Sequence, residues 1–298
     1  MNNKNSVCPI AKLKLLPTKE SVKVRWLQIK FLFFILILSM GKAQASEDDE
    51  GLMLNGELTQ GSLIRGQVAP GSTVTLNGKP VKVNPQGKFV IGFAREAEPA
   101  HVLTWTDEQG QRFEKRLSVT SREYDIQRID GIEPKMVTPP PEVTERIQND
   151  SAKVSQARAK VRDYDAVFTR FIWPAEGPIT GVYGSQRILN GEPRWPHYGV
   201  DVGSPKGTPV VAPAQGYVTL ADDLYYSGNT IILDHGMGVF STFLHLNEMQ
   251  VKVGELIEQG RQIGTIGSTG RSTGPHLDWR INLGKMRLDP ALLVPRRN

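Results

Sequence analysis

Three short segments of the sequence place histidine and aspartate at spacings that could serve one chemical site. HYGVD carries His197 and Asp201 four residues apart, FLHL carries His245, and PHLDW carries His276 and Asp278 two residues apart. Along an extended strand, residues two or four positions apart face the same side of the sheet. Each segment alone is also compatible with ordinary hydrogen-bonded polar residues, so only their combination points to chemistry.

The combination suits a hydrolytic zinc site. Catalytic zinc takes three protein ligands from His, Asp or Glu and keeps a further position open. A histidine outside the ligand set can act as a general base or acid, because its unperturbed pKa is ~6.5. This region supplies three ligands and two spare histidines. The one cysteine, Cys8, lies in the N-terminal segment, so the rest of the chain has neither a Cys₄ metal site nor a cysteine nucleophile.

The residues around these motifs resemble a known family. HYGVD, FLHL and GPHLD are similar to the HxxxD, aromatic-x-His-Leu and Gly-Pro-His-x-His motifs of the LytM/lysostaphin-type zinc metallopeptidases. GTPVVAPAQGYV and VKVGELIEQGRQIGTIGSTGRSTG resemble two glycine-rich family segments in the same order. The likeness runs from about residue 172 to residue 295. It implies an endopeptidase that hydrolyses peptide cross-links of peptidoglycan.

The resemblance also implies a role for each residue. His197, Asp201 and Asp278 are expected to bind one Zn²⁺ per chain, and His245 and His276 are expected to be catalytic. Most of the family has histidine where this chain has Asp278, and a carboxylate there makes the metal site less positive. Two outcomes follow: an active enzyme with a tuned site, or a non-catalytic module that binds or activates other cell-wall hydrolases. The two retained histidines favour the enzyme.

Other polar and aromatic residues near the motifs have simpler interpretations. His235 is expected to support a turn. Arg187 and Asn190 could orient substrate, but loop hydrogen bonds are the simpler expectation. Trp195 and Trp279 could line a substrate groove or pack in the core, and the sequence leaves both open.

Turn and strand patterns predict the elements that position the site. The fold class is expected to be mostly β. Residues 46–130 read as a small β-sandwich, because short alternating runs are separated by turns. The clearest signal is VTLNGKPVKV, in which Asn77-Gly78 separates two alternating runs and predicts a hairpin.

A different pattern follows the sandwich. Residues 131–170 begin with a proline run and then repeat apolar residues at helical spacing, at Val143, Ile147, Val154 and Val161. This predicts a Pro-rich and helical linker. From residue 171 to 298 glycine is frequent and apolar pairs alternate with turns, which predicts an antiparallel β domain of the LytM peptidase type.

Residues 1–45 read as a secretory signal peptide. Basic residues precede the apolar run FLFFILILSM, and a small-residue site, AQA, follows it. The run is too short to span a bilayer, which needs ~20 residues, so no membrane span is expected after its removal. The predicted location is periplasmic or secreted.

The net charge of the chain without residues 1–45 bears on the kind of partner it binds. Residues 1–45 hold eight of the 36 Lys and Arg residues and one of the 31 Asp and Glu residues. The remainder is therefore slightly acidic, and nothing in it favours a nucleic acid as partner. The expected partners, from the family resemblance, are peptidoglycan peptide stems or cross-links.

Overall fold

A computed structural model of the chain describes residues 51–297, which belong to one compact unit. The predicted signal peptide lies outside the described residues and stays a prediction. Among the residues described, no helix has both the length and the apolar character needed to cross a bilayer. The architecture is mostly β, as the sequence predicts.

The N-terminal part is a small sandwich of two antiparallel sheets. Its strands are β1 (Met53–Asn55), β2 (Leu63–Gln67), β3 (Thr73–Leu76), β4 (Lys79–Val81), β5 (Lys88–Gly92), β6 (Ala100–Thr106) and β7 (Arg112–Ser118). One sheet has the order β1-β2-β5 and the other β4-β3-β6-β7. Apolar side chains from both sheets, among them Ile64, Phe89 and Trp105, form one core.

The predicted hairpin is confirmed. Strands β3 and β4 pair antiparallel with Leu76 opposite Lys79. Asn77 and Gly78 have φ angles of 50° and 73°. Two consecutive residues with positive φ define the type I′ turn that matches the twist of a two-residue hairpin.

Strand β8 (Ile126–Ile129) ends the segment predicted as the sandwich. The linker then contains helices α1 (Pro134–Val137) and α2 (Thr144–Ala157) and two 3₁₀ turns (Pro141–Val143 and Ala166–Phe168). The predicted helix is present, but it ends before Val161, which is 49% exposed. Val154 and Ala157 pack against a buried apolar cluster of the following domain. The charged side chains Arg146 and Lys153 form ion pairs with Asp223 and Asp222, so this face of α2 is half-exposed and bound to the strand beneath it.

The C-terminal part is an antiparallel β structure. Its strands are β9 (Ile179–Gly181), β10 (Gln186–Leu189), β11 (Glu192–Pro193), β12 (Val200–Gly203), β13 (Pro209–Val211), β14 (Gly216–Leu224), β15 (Gly228–Asp234), β16 (Val239–Met249), β17 (Leu256–Ile257), β18 (Gln262–Ile266), β19 (His276–Leu283) and β20 (Met286–Leu288), followed by a 3₁₀ turn (Pro290–Leu293). The main sheet has the order β17-β14-β15-β16-β19-β12-β9. Strands β13 and β18 pair with each other, β18 also pairs with β16, and β20 pairs with β19.

Sheet order brings the predicted site residues together. Strands β12 and β19 are neighbours, and their register places Asp201 directly opposite Asp278. Strand β16 lies on the other side of β19, with Leu244 opposite Asp278 and His245 next along the chain. Opposed residues of paired strands point to the same face, so Asp201 and Asp278 share one face. Regular alternation would turn His245 away from that face, but its φ of 63° and a register shift between β15 and β16 interrupt the alternation there.

The two parts of the chain share contacts. Leu63 and Val90 of the sandwich are buried in the same core cluster as the C-terminal sheet. The guanidinium of Arg122 donates to Asp289 Oδ2 at 2.7 Å, and the Asp289 amide donates to the Gly61 carbonyl at 2.7 Å. Strand β8 pairs parallel with β10, so the end of the segment predicted as the sandwich joins the C-terminal structure instead.

Candidate metal centre

His197, Asp201 and Asp278 converge in a buried pocket. One candidate ligand atom from each lies within 4.8 Å of the others, and the three residues are 1%, 5% and 0% exposed. Gly199 allows this approach, because a Cβ at that position would lie 2.5 Å from Asp278 Oδ1. The name pocket is used below for five residues together: His197, Asp201, Asp278, His245 and His276.

Part of the pocket has no internal partner. His197 Nδ1, His197 Nε2 and Asp201 Oδ1 are buried without a hydrogen bond, and they are three of seven such side-chain atoms within residues 51–297. His197 Nε2 lies 3.0 Å from Asp201 Oδ1, and His197 Nδ1 lies 4.0 Å from Asp278 Oδ2. Unmade hydrogen bonds of buried groups are costly and call for an explanation such as a bound ion. One imidazole and two carboxylates are donors that fit Zn²⁺.

The other oxygen of Asp201 is held by an arginine. Arg187 donates to Asp201 Oδ2 at 2.6 Å. Burial raises the pKa of the Asp201 carboxyl, but His197 and Arg187 lower it further, so the group ionises below its usual range. The sequence favours loop hydrogen bonds for Arg187 and leaves substrate orientation open. In the structure Arg187 instead pairs directly with a candidate ligand.

Asp278 differs from Asp201 because both of its oxygens are occupied. Arg280 Nε donates to Asp278 Oδ1 at 2.9 Å and Arg280 NH2 donates to Oδ2 at 2.5 Å. Burial raises the pKa of the Asp278 carboxyl, but the charge and hydrogen bonds of Arg280 hold that pKa well below its usual range. Arg280 is not among the site residues predicted from the sequence. The signal was present, since His276, Asp278 and Arg280 alternate on one face of β19.

His245 enters the pocket from β16 through an unusual backbone. Its φ is 63°, a left-handed conformation that costs a non-glycine residue about 1–3 kcal/mol and is often kept at functional sites. Its Nδ1 donates to the Thr269 carbonyl at 2.8 Å, which leaves Nε2 as a hydrogen-bond acceptor. Burial lowers the pKa of His245 to about 4, against the opposing effect of Asp278. The ring is therefore neutral near pH 7.

His276 has the same arrangement. Its Nδ1 donates to the Gly274 carbonyl at 2.8 Å, so Nε2 again carries the free lone pair. The two imidazole rings have centroids 4.9 Å apart. His276 Nε2 lies 4.0 Å from Asp201 Oδ1, and the side chain is 19% exposed. Two acceptor nitrogens thus lie beside the candidate metal ligands.

Of the other residues considered in the sequence, His235 and Trp279 are structural and Trp195 is exposed. His235 Nδ1 and Nε2 lie 2.7 Å from the Gln215 carbonyl and the Ser241 hydroxyl, which confirms a structural role. Trp279 is fully buried, so it packs in the core, whereas Trp195 is 79% exposed.

The segment 126–138 contacts the chain near the pocket at two points. Asn190, beyond the strand of Arg187, donates to the Ile132 carbonyl at 2.6 Å, as expected of a loop residue. Arg271, in the loop before His276, donates to the Met136 carbonyl at 3.3 Å. The linker therefore contacts both segments that lead into the pocket.

Comparison with known proteins agrees with this arrangement. The model of peptidase family M23 matches residues 195–290. The peptidoglycan DD-endopeptidase ShyA of Vibrio cholerae is 36% identical over 109 residues, 34% of this chain and 25% of ShyA. The DD-carboxypeptidase/endopeptidase Mpg of Neisseria meningitidis is 37% identical over 143 residues, 48% of this chain and 31% of Mpg. This chain thus spans a third or less of these curated relatives.

A solved structure extends the likeness beyond the matched segment. The crystal structure of a candidate peptidase M23 from Pseudomonas aeruginosa has a TM-score of 0.62 and 29% identity. The similarity covers 80% of this chain and 95% of that one, so it includes more than the C-terminal sheet. Residues 195–290 therefore match a peptidase family M23 domain, and the fold of most of the chain is similar to that of a candidate M23 peptidase.

Proposed function

We propose that the protein is a zinc-dependent endopeptidase that hydrolyses peptide cross-links of peptidoglycan. The observation that carries this proposal is the set of buried, unpartnered atoms on His197 and Asp201, beside Asp278. Two histidines with free Nε2 atoms lie next to them. Buried donor atoms without hydrogen bonds and adjacent proton acceptors are what metal-assisted hydrolysis requires.

His197, Asp201 and Asp278 would hold the ion. Zinc, when bound, supplies a Lewis acid that polarises the scissile carbonyl and lowers the pKa of water. The chain's own contribution is to place donors and acceptors around that carbonyl. Despite burial, the pKa of the Asp201 carboxyl is lowered, chiefly by His197 and also by Arg187, and that of Asp278 chiefly by Arg280, so both carboxylates are anionic across the neutral pH range.

The two histidines divide the proton transfers. With a pKa of about 4, His245 is a weak base, and its Nε2 orients the attacking water by accepting a hydrogen bond. His276 Nε2 carries a free lone pair 4.0 Å from Asp201 Oδ1, and its side chain is 19% exposed, so it can reach a bound substrate. His276 therefore takes the water proton and returns it to the leaving amine. In each histidine the Nδ1 atom donates to a backbone carbonyl, so both Nε2 atoms remain free to accept a hydrogen bond or a proton.

The substrate class and location are supported by the relatives. ShyA is named a peptidoglycan DD-endopeptidase, and Mpg is named a DD-carboxypeptidase/endopeptidase. Peptidoglycan lies outside the cytoplasm, which agrees with the secretory signal predicted for residues 1–45. We therefore place the activity in the periplasm or outside the cell.

Digestion of purified sacculi tests the proposal. The full chain is incubated with sacculi, with zinc or with a chelator, and the masses of released muropeptides are measured. Zinc-dependent loss of cross-linked muropeptides supports the endopeptidase. Cleavage of simple peptides with no release from sacculi would support a zinc hydrolase of another substrate instead.

One observation favours a second candidate, a non-catalytic module that binds or activates other cell-wall hydrolases. Both oxygens of Asp278 are already bonded to Arg280, so the pocket has an internal cation at one ligand. This candidate predicts a metal-free chain that leaves sacculi intact but accelerates a purified cell-wall amidase. Running the digestion with and without the amidase separates the two functions.

A further inference from the structure

The two carboxylates of the pocket differ in how many of their oxygens bond to an arginine. Arg187 bonds one oxygen of Asp201 and leaves Oδ1 without a partner. Arg280 bonds both oxygens of Asp278, at 2.9 Å and 2.5 Å. A fork of two charge-assisted hydrogen bonds is the strongest pairing that a carboxylate makes with a side chain. Asp201 thus keeps one oxygen without a hydrogen bond, whereas both oxygens of Asp278 are bonded to a guanidinium.

Charge balance gives the same result. Without metal, Asp201 and Asp278 are balanced by Arg187 and Arg280, and the imidazoles add no charge when neutral. A zinc ion therefore adds two positive charges to a pocket whose carboxylates already contact two guanidinium groups. Because Asp278 is 0% exposed, water does little to screen this repulsion.

We infer that Arg280 is an internal counter-cation that competes with the metal for Asp278 and sets the zinc affinity of the pocket. The inference rests on the proposed zinc site and names what regulates it. Arg280 acts on the reaction through Asp278 and is therefore a positioning residue. Zinc binding has to share or displace the Arg280 fork, so the wild-type chain binds zinc more weakly than its ligand set alone would.

The opposite role is also known for such residues. A group that hydrogen-bonds a metal ligand from behind often orients it, and removing that group weakens metal binding. The two roles predict opposite signs when the charge of Arg280 is removed. The sign of the change in zinc affinity therefore decides between them.

The test measures zinc affinity in the full chain. Metal-free wild type, Arg280→Gln and Arg280→Lys are titrated with zinc against a chromogenic chelator. Arg162→Gln is the matched control, because Arg162 pairs with the buried Asp234 outside the pocket. We expect Arg280→Gln to bind zinc about tenfold or more tightly than wild type. Arg280→Lys keeps the charge and should stay close to wild type, as should Arg162→Gln.

The outcomes separate this inference from the proposed function. Equal or weaker zinc binding by Arg280→Gln, in a wild type that binds zinc, overturns the inference and leaves the endopeptidase in place. Zinc binding by Arg280→Gln with none by wild type supports the inference and removes the metal-dependent function of the natural chain. Absence of zinc binding in both overturns both.

Thermal unfolding gives a second readout that does not depend on activity. Arg280→Gln leaves the buried Asp278 unpaired, so its metal-free form should melt at a lower temperature than wild type. Zinc should then raise its melting temperature more than it raises that of wild type, because a tighter ligand stabilises more. If Arg280→Gln does not fold with or without zinc, Arg280→Ala and Arg280→Met serve as the neutral variants. A zinc-induced shift no larger than that of wild type in any neutral variant that folds contradicts the inference.

Discussion

The C-terminal sheet buries two polar clusters that differ in how completely their atoms are paired. In the first, called the turn cluster, Asp234 pairs with Arg162 and accepts from the Gly236 amide, and His235 contacts the Gln215 carbonyl and the Ser241 hydroxyl. In the pocket, by contrast, both nitrogens of His197 and one oxygen of Asp201 are without partners.

The difference distinguishes structural from functional histidines. His235 and His245 are both buried, and burial lowers the pKa of each to about 4. A perturbed pKa alone therefore does not identify a site. What separates them is the second nitrogen, which is bonded in His235 and free in His245. Incomplete pairing of buried polar groups is the better indicator of a place built for a ligand.

The largest effect is expected from the same substitution made in both clusters. His276→Gln removes the proposed proton carrier and should lower the rate of sacculus digestion by about 10²–10⁴-fold, with zinc affinity unchanged. His235→Gln should leave that rate unchanged per folded molecule, because its partners lie outside the pocket. Muropeptide release rates and zinc titrations measure both. Equal loss in the two variants would remove the functional distinction between the clusters.

A second matched pair concerns the aspartates. Asp201→Asn removes the charge of the ligand whose Oδ1 is free, and zinc affinity should fall by about a hundredfold or more. Asp234→Asn should leave zinc affinity unchanged and reduce the free energy of unfolding, because Arg162 loses its buried anion. Chelator competition and urea unfolding separate the two results. Unaltered zinc binding by Asp201→Asn would contradict its placement as a ligand.

The third prediction concerns stability at acid pH. His235 has a pKa of about 4 when folded and ~6.5 when unfolded, so the folded state binds fewer protons between these values. Its stabilising contribution is fully present above about pH 6.5 and is lost as pH falls toward 4. At pH 5 the loss is about 2 kcal/mol. Urea unfolding at pH 7.5 and pH 5 measures it.

The control for that prediction is His235→Gln, whose amide can still donate to the Gln215 carbonyl and accept from Ser241. This variant should lose about 2 kcal/mol less than wild type between the two pH values. It keeps part of the pH dependence, because His245 carries a similar shift. An identical pH dependence in both proteins would mean that His235 does not titrate as its burial indicates.

The sequence predicts the position of the site better than its electrostatics. Strand alternation places His276 and Asp278 on one face, and the family resemblance brings His197, Asp201 and His245 beside them. Sheet order decides the rest. Nothing in the sequence indicates that Arg187, fourteen positions before Asp201, pairs with it, because that contact depends on how β10 lies next to the pocket.

Some local features are also visible only in the structure. The Asn77-Gly78 hairpin follows from local backbone preferences, and it forms as predicted. The end of helix α2 at Ala157 does not follow from the apolar spacing, which continues to Val161. The positive φ of His245 lies where the pairing of β16 with β15 shifts register, whereas the sequence predicts alternation. Such departures arise from tertiary contacts that override local preference.

The smallest effect is expected where the pocket most resembles the turn cluster, at Asp278. Asp278→His supplies a ligand common in this family, yet it leaves Arg280 without its anion next to the metal position. We therefore expect Asp278→His alone to bind zinc about tenfold more weakly than wild type. The double variant Asp278→His with Arg280→Gln should recover that loss. Zinc titration of the four proteins forms a double-mutant cycle.

The sign of the coupling in this cycle decides whether Asp278 and Arg280 act as one unit. If Arg280 competes with zinc, Arg280→Gln tightens zinc binding in both backgrounds, since the guanidinium repels the ion whichever residue occupies position 278. The gain in zinc affinity from Arg280→Gln should be larger in the Asp278→His background, because no carboxylate there offsets the repulsion between Arg280 and zinc. A single variant Asp278→His that binds zinc more tightly than wild type would show instead that the ligand type limits affinity. The paired charges at Asp278 and Arg280 would then be structural, like those of Asp234 and Arg162.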